Sequence, residues 1–167
     1  MHERIESRYS EQMGTTDKNA PFTTDASLRD IELAKRKLAA EALSVVVVKL
    51  GKTMFTSRAP GVKSLIEAIR EFGPSLAGAS IADKVVGKAA ALLCVYTKAS
   101  RVYGCVMSAL GSDVLKNFFI PFEHDTLVPN ILDRHGTGMC PFEKLVLGIN
   151  SPEEAFSAID RYLATKA

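Results

Sequence analysis

Apolar residues recur at helical spacing from Ser27 onward, at Ile31, Ala34, Leu38 and Ala42, and predict a first amphipathic helix running to about Ala42. Ser27 with Asp30 three positions later has the pattern of a capping box at its start. Val45 to Leu50 is a β-branched run, Gly51-Lys52 a turn signal, and Thr53 to Ser57 a returning strand, so this stretch reads as a hairpin. After the break at Pro60-Gly61, one face of a second helix is marked by Val62, Leu65, Ile66, Ile69 and Phe72, and Gly73-Pro74 stops it. The run Val85 to Val95 is apolar nearly all round apart from Lys88, which predicts a buried third helix with Asp83 as its N-cap. Arg101 to Met107 then reads as a strand, Ser112 to Phe119 as a helix and Glu123 to Val128 as a strand, while Asn130 to Met139 reads as a loop. Ser151-Pro152-Glu153-Glu154 is a strong helix start, and Ala155, Phe156, Ile159, Tyr162 and Leu163 form the core face behind it.

Composition narrows the class without naming it. With 167 residues the chain is expected to form one domain, residues 27–167, preceded by a polar, flexible N-terminal arm over residues 1–26. A net charge of +2 is too small to argue for nucleic acid, and the longest apolar run, Ala89 to Tyr96, is too short for a bilayer. The expected setting is therefore the cytoplasm, with neither membrane nor nucleic acid as partner. Cys94, Cys105 and Cys140 form no CxxC pair, which suits a reducing compartment.

Candidate chemistry concentrates in Asp133-Arg134-His135-Gly136-Thr137-Gly138-Met139-Cys140-Pro141-Phe142-Glu143. Pro141 fits a first helical position, which puts Cys140 at an N-cap where a helix dipole favours thiolate. Cys140 as nucleophile with His135 as base is one reading; a small buried thiol and a hydrogen-bonded imidazole is the other. Gly136 and Gly138 free backbone N–H groups to face a ligand and Arg134 suits an anion, although glycines in a turn also answer backbone geometry alone. Asp133 and Glu143 could orient the imidazole or pair with Arg134. A metal held by His124, His135 and Cys140 matches no ordinary zinc spacing, so no metal or cofactor is expected.

The segments from Asp83 to Ala91 and from Asn130 to Glu143 resemble those of a small, functionally uncharacterised prokaryotic family assigned to the cytidine deaminase-like fold, over about Leu28 to Leu163. The resemblance implies a three-layer α/β/α sandwich with a mixed central sheet, assembled at least as a homodimer. Zinc deaminases place a His or Cys and a catalytic Glu at the start of the buried helix, and a Pro-Cys-x-x-Cys after the next strand. Here those places read Asp83, Lys84, Gly87 and Lys88, and Met107-Ser108-Ala109-Leu110-Gly111, so the resemblance implies the fold without the zinc chemistry.

The expectation that follows is a small anionic or nucleotide-like molecule bound between the Asp83 helix start and the 133–143 loop. Its candidate contacts are Asp83, Lys84, Gly87, Lys88, Asn130, Arg134, Gly136, Gly138 and Glu143. A plain cap at Asp83 with a solvated Lys84 and a snorkelling Lys88 is the structural counterpart. The alternatives are a metal-independent enzyme using Cys140 with His135, and a structural subunit whose pocket is vestigial.

Overall fold

The computed structural model describes residues 25–167. The expected arm therefore lies almost wholly outside the described residues, except that its last two positions already belong to a helix. That helix, α1 (Asp25–Ala40), starts before Ser27, so Ser27 is no N-cap. Asp30 is turned elsewhere: its two carboxylate oxygens accept from Leu50 N at 2.8 Å and Gly51 N at 2.7 Å, tying α1 to the turn of the hairpin.

The hairpin is β1 (Val45–Lys49) and β2 (Lys52–Ser57), with Leu50-Gly51 as the turn and a register shift at Val47/Val48. Alternation in β1 divides the core, because Val45 and Val47 join one buried cluster and Val46 and Val48 the other. Helix α2 (Lys63–Phe72) ends as the Gly73-Pro74 stop predicts and runs into a single 3-10 turn, Gly73–Leu76.

The next element corrects the sequence reading. Ser80–Val86 is strand β3, and the buried helix α3 starts only at Lys88 and runs to Tyr96, with Gly87 as N-cap. Asp83 thus sits mid-strand, opposite Val45 on one side and Gly104 on the other. A central strand buried on both faces that passes directly into a buried helix leaves no change of periodicity to mark the boundary.

Strand β4 (Arg101–Ser108) passes straight into α4 (Ala109–Asn117), which begins three residues before the expected Ser112 because Ser108 Oγ accepts from Gly111 N at 3.0 Å. Strand β5 (Phe122–Val128), the five-residue α5 (Pro141–Leu145) and α6 (Pro152–Ala164) complete the chain. Ser151 caps α6 through Glu154 N at 3.3 Å, as its sequence announces.

The architecture is α/β: a five-stranded mixed sheet in the order β2-β1-β3-β4-β5, flanked by helices. The β1–β2 and β1–β3 pairs are antiparallel, the β3–β4 and β4–β5 pairs parallel. One face carries α1 through Ile31, Ala34 and Leu38; the other carries the larger core, in which α3 is enclosed between the sheet and α6. Among the described residues no helix is long and apolar enough to cross a membrane.

Candidate functional site

The parallel strands β3 and β4 both deliver their chain into helix N-termini at one end of the sheet. These termini touch: a side chain at Gly111 would stand 2.8 Å from Val86 O and 3.0 Å from the Gly87 carbonyl carbon. Such a pair of helix starts, with its unpaired N–H groups, is where an anion is stabilised.

That place is filled from within. The Glu143 carboxyl, only 1 % exposed, accepts a short hydrogen bond from Lys88 N, and its other oxygen lies 3.5 Å from Ile131 N. The approach depends on Gly87, where an added Cβ would overlap the Glu143 carboxylate and stand 2.9 Å from Ile131 Cγ1. Lys88 completes the clasp from the other side. Its ammonium donates to Leu147 O at 2.8 Å and to Asn150 Oδ1 at 3.2 Å, which fastens the chain leaving α5. Burial lowers the Lys88 pKa, and the nearby Glu143 charge works against that shift.

Gly87, Lys88 and Glu143 are thus brought together as the sequence suggests, but they serve one another. Ile131, Leu147 and Asn150 were not foreseen as their partners; about sixty residues separate Lys88 from Asn150, and no local spacing signals such a contact. Asp83 and Lys84, expected at the helix start, lie in β3 instead. The Asp83 side chain is 5 % exposed and accepts from Val85 N at 3.0 Å, just where pairing with β1 has run out. Burial pushes its carboxyl up to about 7, against the backbone N–H groups of Val85 and Lys84. Lys84 presents its backbone N–H to Ser44 O at 2.9 Å and leaves its side chain exposed.

The expected loop is a pinched hairpin. Cys140 N donates to Ile131 O and Asp133 N to Gly138 O, both at 2.8 Å, and Leu132 bridges Met139. Asp133 organises its tip by accepting from His135 N, Thr137 N and Thr137 Oγ1, each at 3.0 Å. These donors, Thr137 N first, hold its carboxyl below the usual range in spite of some desolvation. Gly136 turns the tip at φ 67°. Arg134 and His135 are exposed on it, Gly138 closes it, and Asn130 sits half-buried at its base. Replacing Asp133 with alanine is expected to speed hydrogen exchange at the His135 and Thr137 amides while leaving exchange in α3 unchanged; protected tip amides in the variant would refute the Asp133 role.

Cys140 is half-buried at the N-cap of α5, and no hydrogen bond joins it to His135 among the described residues. Cys94 is buried in α3, where desolvation and then the Asp83 charge push its thiol up. Among the described residues no group of three His, Cys, Asp or Glu side chains is placed to hold a metal ion. The residues at the two helix starts, Gly87, Lys88 and Ser108 to Gly111, offer neither thiolate nor imidazole and do not fit a zinc site of the deaminase kind.

The chain matches the family model TM1506, a domain of unknown function (DUF1893), over residues 33–163. It is similar to the crystal structure of a DUF1893 family protein (TM1506) from Thermotoga maritima, with a TM-score of 0.75 and 27% identity, covering 92% of this chain and 100% of that one. A comparison with curated proteins finds no match.

Proposed function

The chain belongs to the TM1506 family of domains of unknown function (DUF1893), and we propose that it is a deaminase-like domain without catalytic zinc that acts as a structural subunit, its ancestral pocket plugged by its own Glu143. One observation carries this reading: a buried carboxyl occupies the N-terminus of α3, where a small anionic or nucleotide-like molecule would have to sit. The deaminase-like assignment is supported by the passage from β3 into an enclosed helix and from β4 into a second helix whose start abuts the first. Its three free cysteines suit a reducing compartment such as the cytoplasm. The Cys140 and His135 pairing is set aside, because α5 has only five residues and the imidazole stands on an exposed tip.

Chemical rescue tests the reading. Glu143→Ala is expected to gain thermal stability as acetate or phosphate is added, because a free anion can then take the place of the carboxyl, while the wild-type chain gains none. A wild-type chain stabilised by phosphate or ADP below about 1 mM would overturn the plugged pocket and restore a ligand site at α3.

A further inference from the structure

At the opposite end of the sheet, where β3, β4 and β5 begin, the surface opens into a cavity of about 770 Å3. This is within the range of small-molecule sites, roughly 300–1,000 Å3. Helices α3 and α4 both finish there, and in the same way. Ala99 N donates to Cys94 O and Lys98 N to Val95 O; Ile120 N donates to Leu115 O and Phe119 N to Lys116 O. This closing pattern puts its middle residue in the left-handed region and normally selects glycine. Here the residues are Lys98 at φ 57° and Phe119 at φ 56°, and the hairpin turn adds Leu50 at φ 51°. Of the four non-glycine residues with positive φ among the described residues, these three all line the one cavity.

Side chains kept at positions where glycine would be less strained point to a role outside folding. Leu50 is 75 % exposed and Phe119 78 %, so neither is retained for the core. The charges of the lining select a sign. Among the described residues its cations are Lys49 and Lys98 and its one acid is Asp30, whose carboxylate is turned to Leu50 N and Gly51 N, so the cations exceed the acid by one. Lys49 already donates to Ser75 O, whereas the Lys98 ammonium has no ion pair or hydrogen bond among the described residues.

We propose that this cavity is a binding site for an amphipathic carboxylate, an aliphatic or aromatic acid whose apolar body lies against Leu50, Val95, Phe118 and Phe119 and whose head meets Lys98. The site is separate from the α3 terminus and does not depend on how that terminus is filled.

The probes are the aromatic sulfonate 1-anilinonaphthalene-8-sulfonate, titrated into the folded full chain, and decanoate, decylammonium and decanol as competitors. Saturable binding of one probe per chain is expected, displaced by decanoate at a concentration about tenfold lower than by decylammonium. Lys98→Glu should weaken decanoate about tenfold. Phe119→Gly should weaken it too, yet raise Tm by about 2–4 °C as backbone strain is relieved, and Lys98→Gly should raise Tm likewise. Equal displacement by decylammonium, an affinity unchanged in Lys98→Glu, or no saturable binding would overturn the proposal. So would a chain that binds no decanoate but forms a dimer that Phe119→Ser dissociates, since the mouth would then be an interface between copies.

Discussion

Gly87→Ala is expected to destabilise the protein by about 3 kcal/mol, lowering Tm by roughly 6–12 °C, although glycine to alanine is usually mild or helpful where φ allows it. Here φ is ordinary, −89°, so the loss is steric and local. The new methyl group would force the Glu143 carboxylate off Lys88 N and press on Ile131 Cγ1 at 2.9 Å. Overpacking accounts for about 1–3 kcal/mol, and the orphaned buried N–H for a further 1–3. Glu143→Ala should cost about 2–4 kcal/mol because it leaves the same N–H unpaired and strips a nearby negative charge from a buried ammonium; Glu143→Gln, which keeps an acceptor, should cost less. The pair supplies the control. In Gly87→Ala/Glu143→Ala the two losses should fall short of their sum by at least about 1 kcal/mol, since one contact cannot be lost twice. Urea denaturation of the four proteins decides it: strict additivity, or a Gly87→Ala loss under about 0.5 kcal/mol, would mean that Glu143 is not what holds the α3 terminus.

The outcome at β3 and that at the hairpin show why the chain was readable in parts. The hairpin turn, found at Leu50-Gly51 one residue before the expected Gly51-Lys52, the stop at Gly73-Pro74 and the cap at Ser151 are local devices, so the local sequence locates them to within a residue. From Ser80 to Tyr96, by contrast, nearly every position is buried, and neither the two-residue nor the 3.6-residue period survives in the pattern. Asp83, an N-cap residue type just before the apolar run, marks a helix start in the sequence, and the marker falls four residues before the true cap at Gly87. Asp30 illustrates a related limit: its carboxylate answers a turn 20 residues away instead of its own helix.

The candidate site was legible as a concentration of unusual residues and not as an arrangement. Lys88 stands out as a lysine on an apolar helix, Gly87 as a neighbour at that helix start, and Glu143 as an acid in the first turn after Cys140-Pro141. What they contact depends on how the 129–150 segment folds back over α3, which is tertiary information. The other end of the sheet gave no signal at all, because a residue in the left-handed region cannot be recognised when it is lysine, leucine or phenylalanine. The two ends differ in kind. At the α3 terminus polar groups are satisfied internally, whereas at the far end strained apolar side chains stay exposed.

Asp83 should make the protein less stable as pH rises, the reverse of the usual behaviour of a carboxylate. Its carboxyl is near 3.8 when unfolded and is pushed up to about 7 in the fold, so between those values the native state binds the extra proton. Stability contributed by this group is therefore complete below about pH 4 and is lost as pH climbs through about 7. The difference amounts to at most about 4 kcal/mol, at 1.36 kcal/mol for each pH unit of separation. Asp133 acts in the opposite sense, since its lowered pKa favours the fold above the unfolded value and fades as pH falls. A comparison of variants separates the two. Asp83→Asn keeps an oxygen for Val85 N and removes the buried charge, so it should exceed wild type by about 2–4 kcal/mol at pH 8.5, and the gap should close towards pH 4. An Asp83→Asn chain whose stability runs parallel to wild type across that range would show that the Asp83 carboxylate is ionised in the fold at little cost. The strand would then have to supply it with a partner that the Val85 and Lys84 amides alone do not provide.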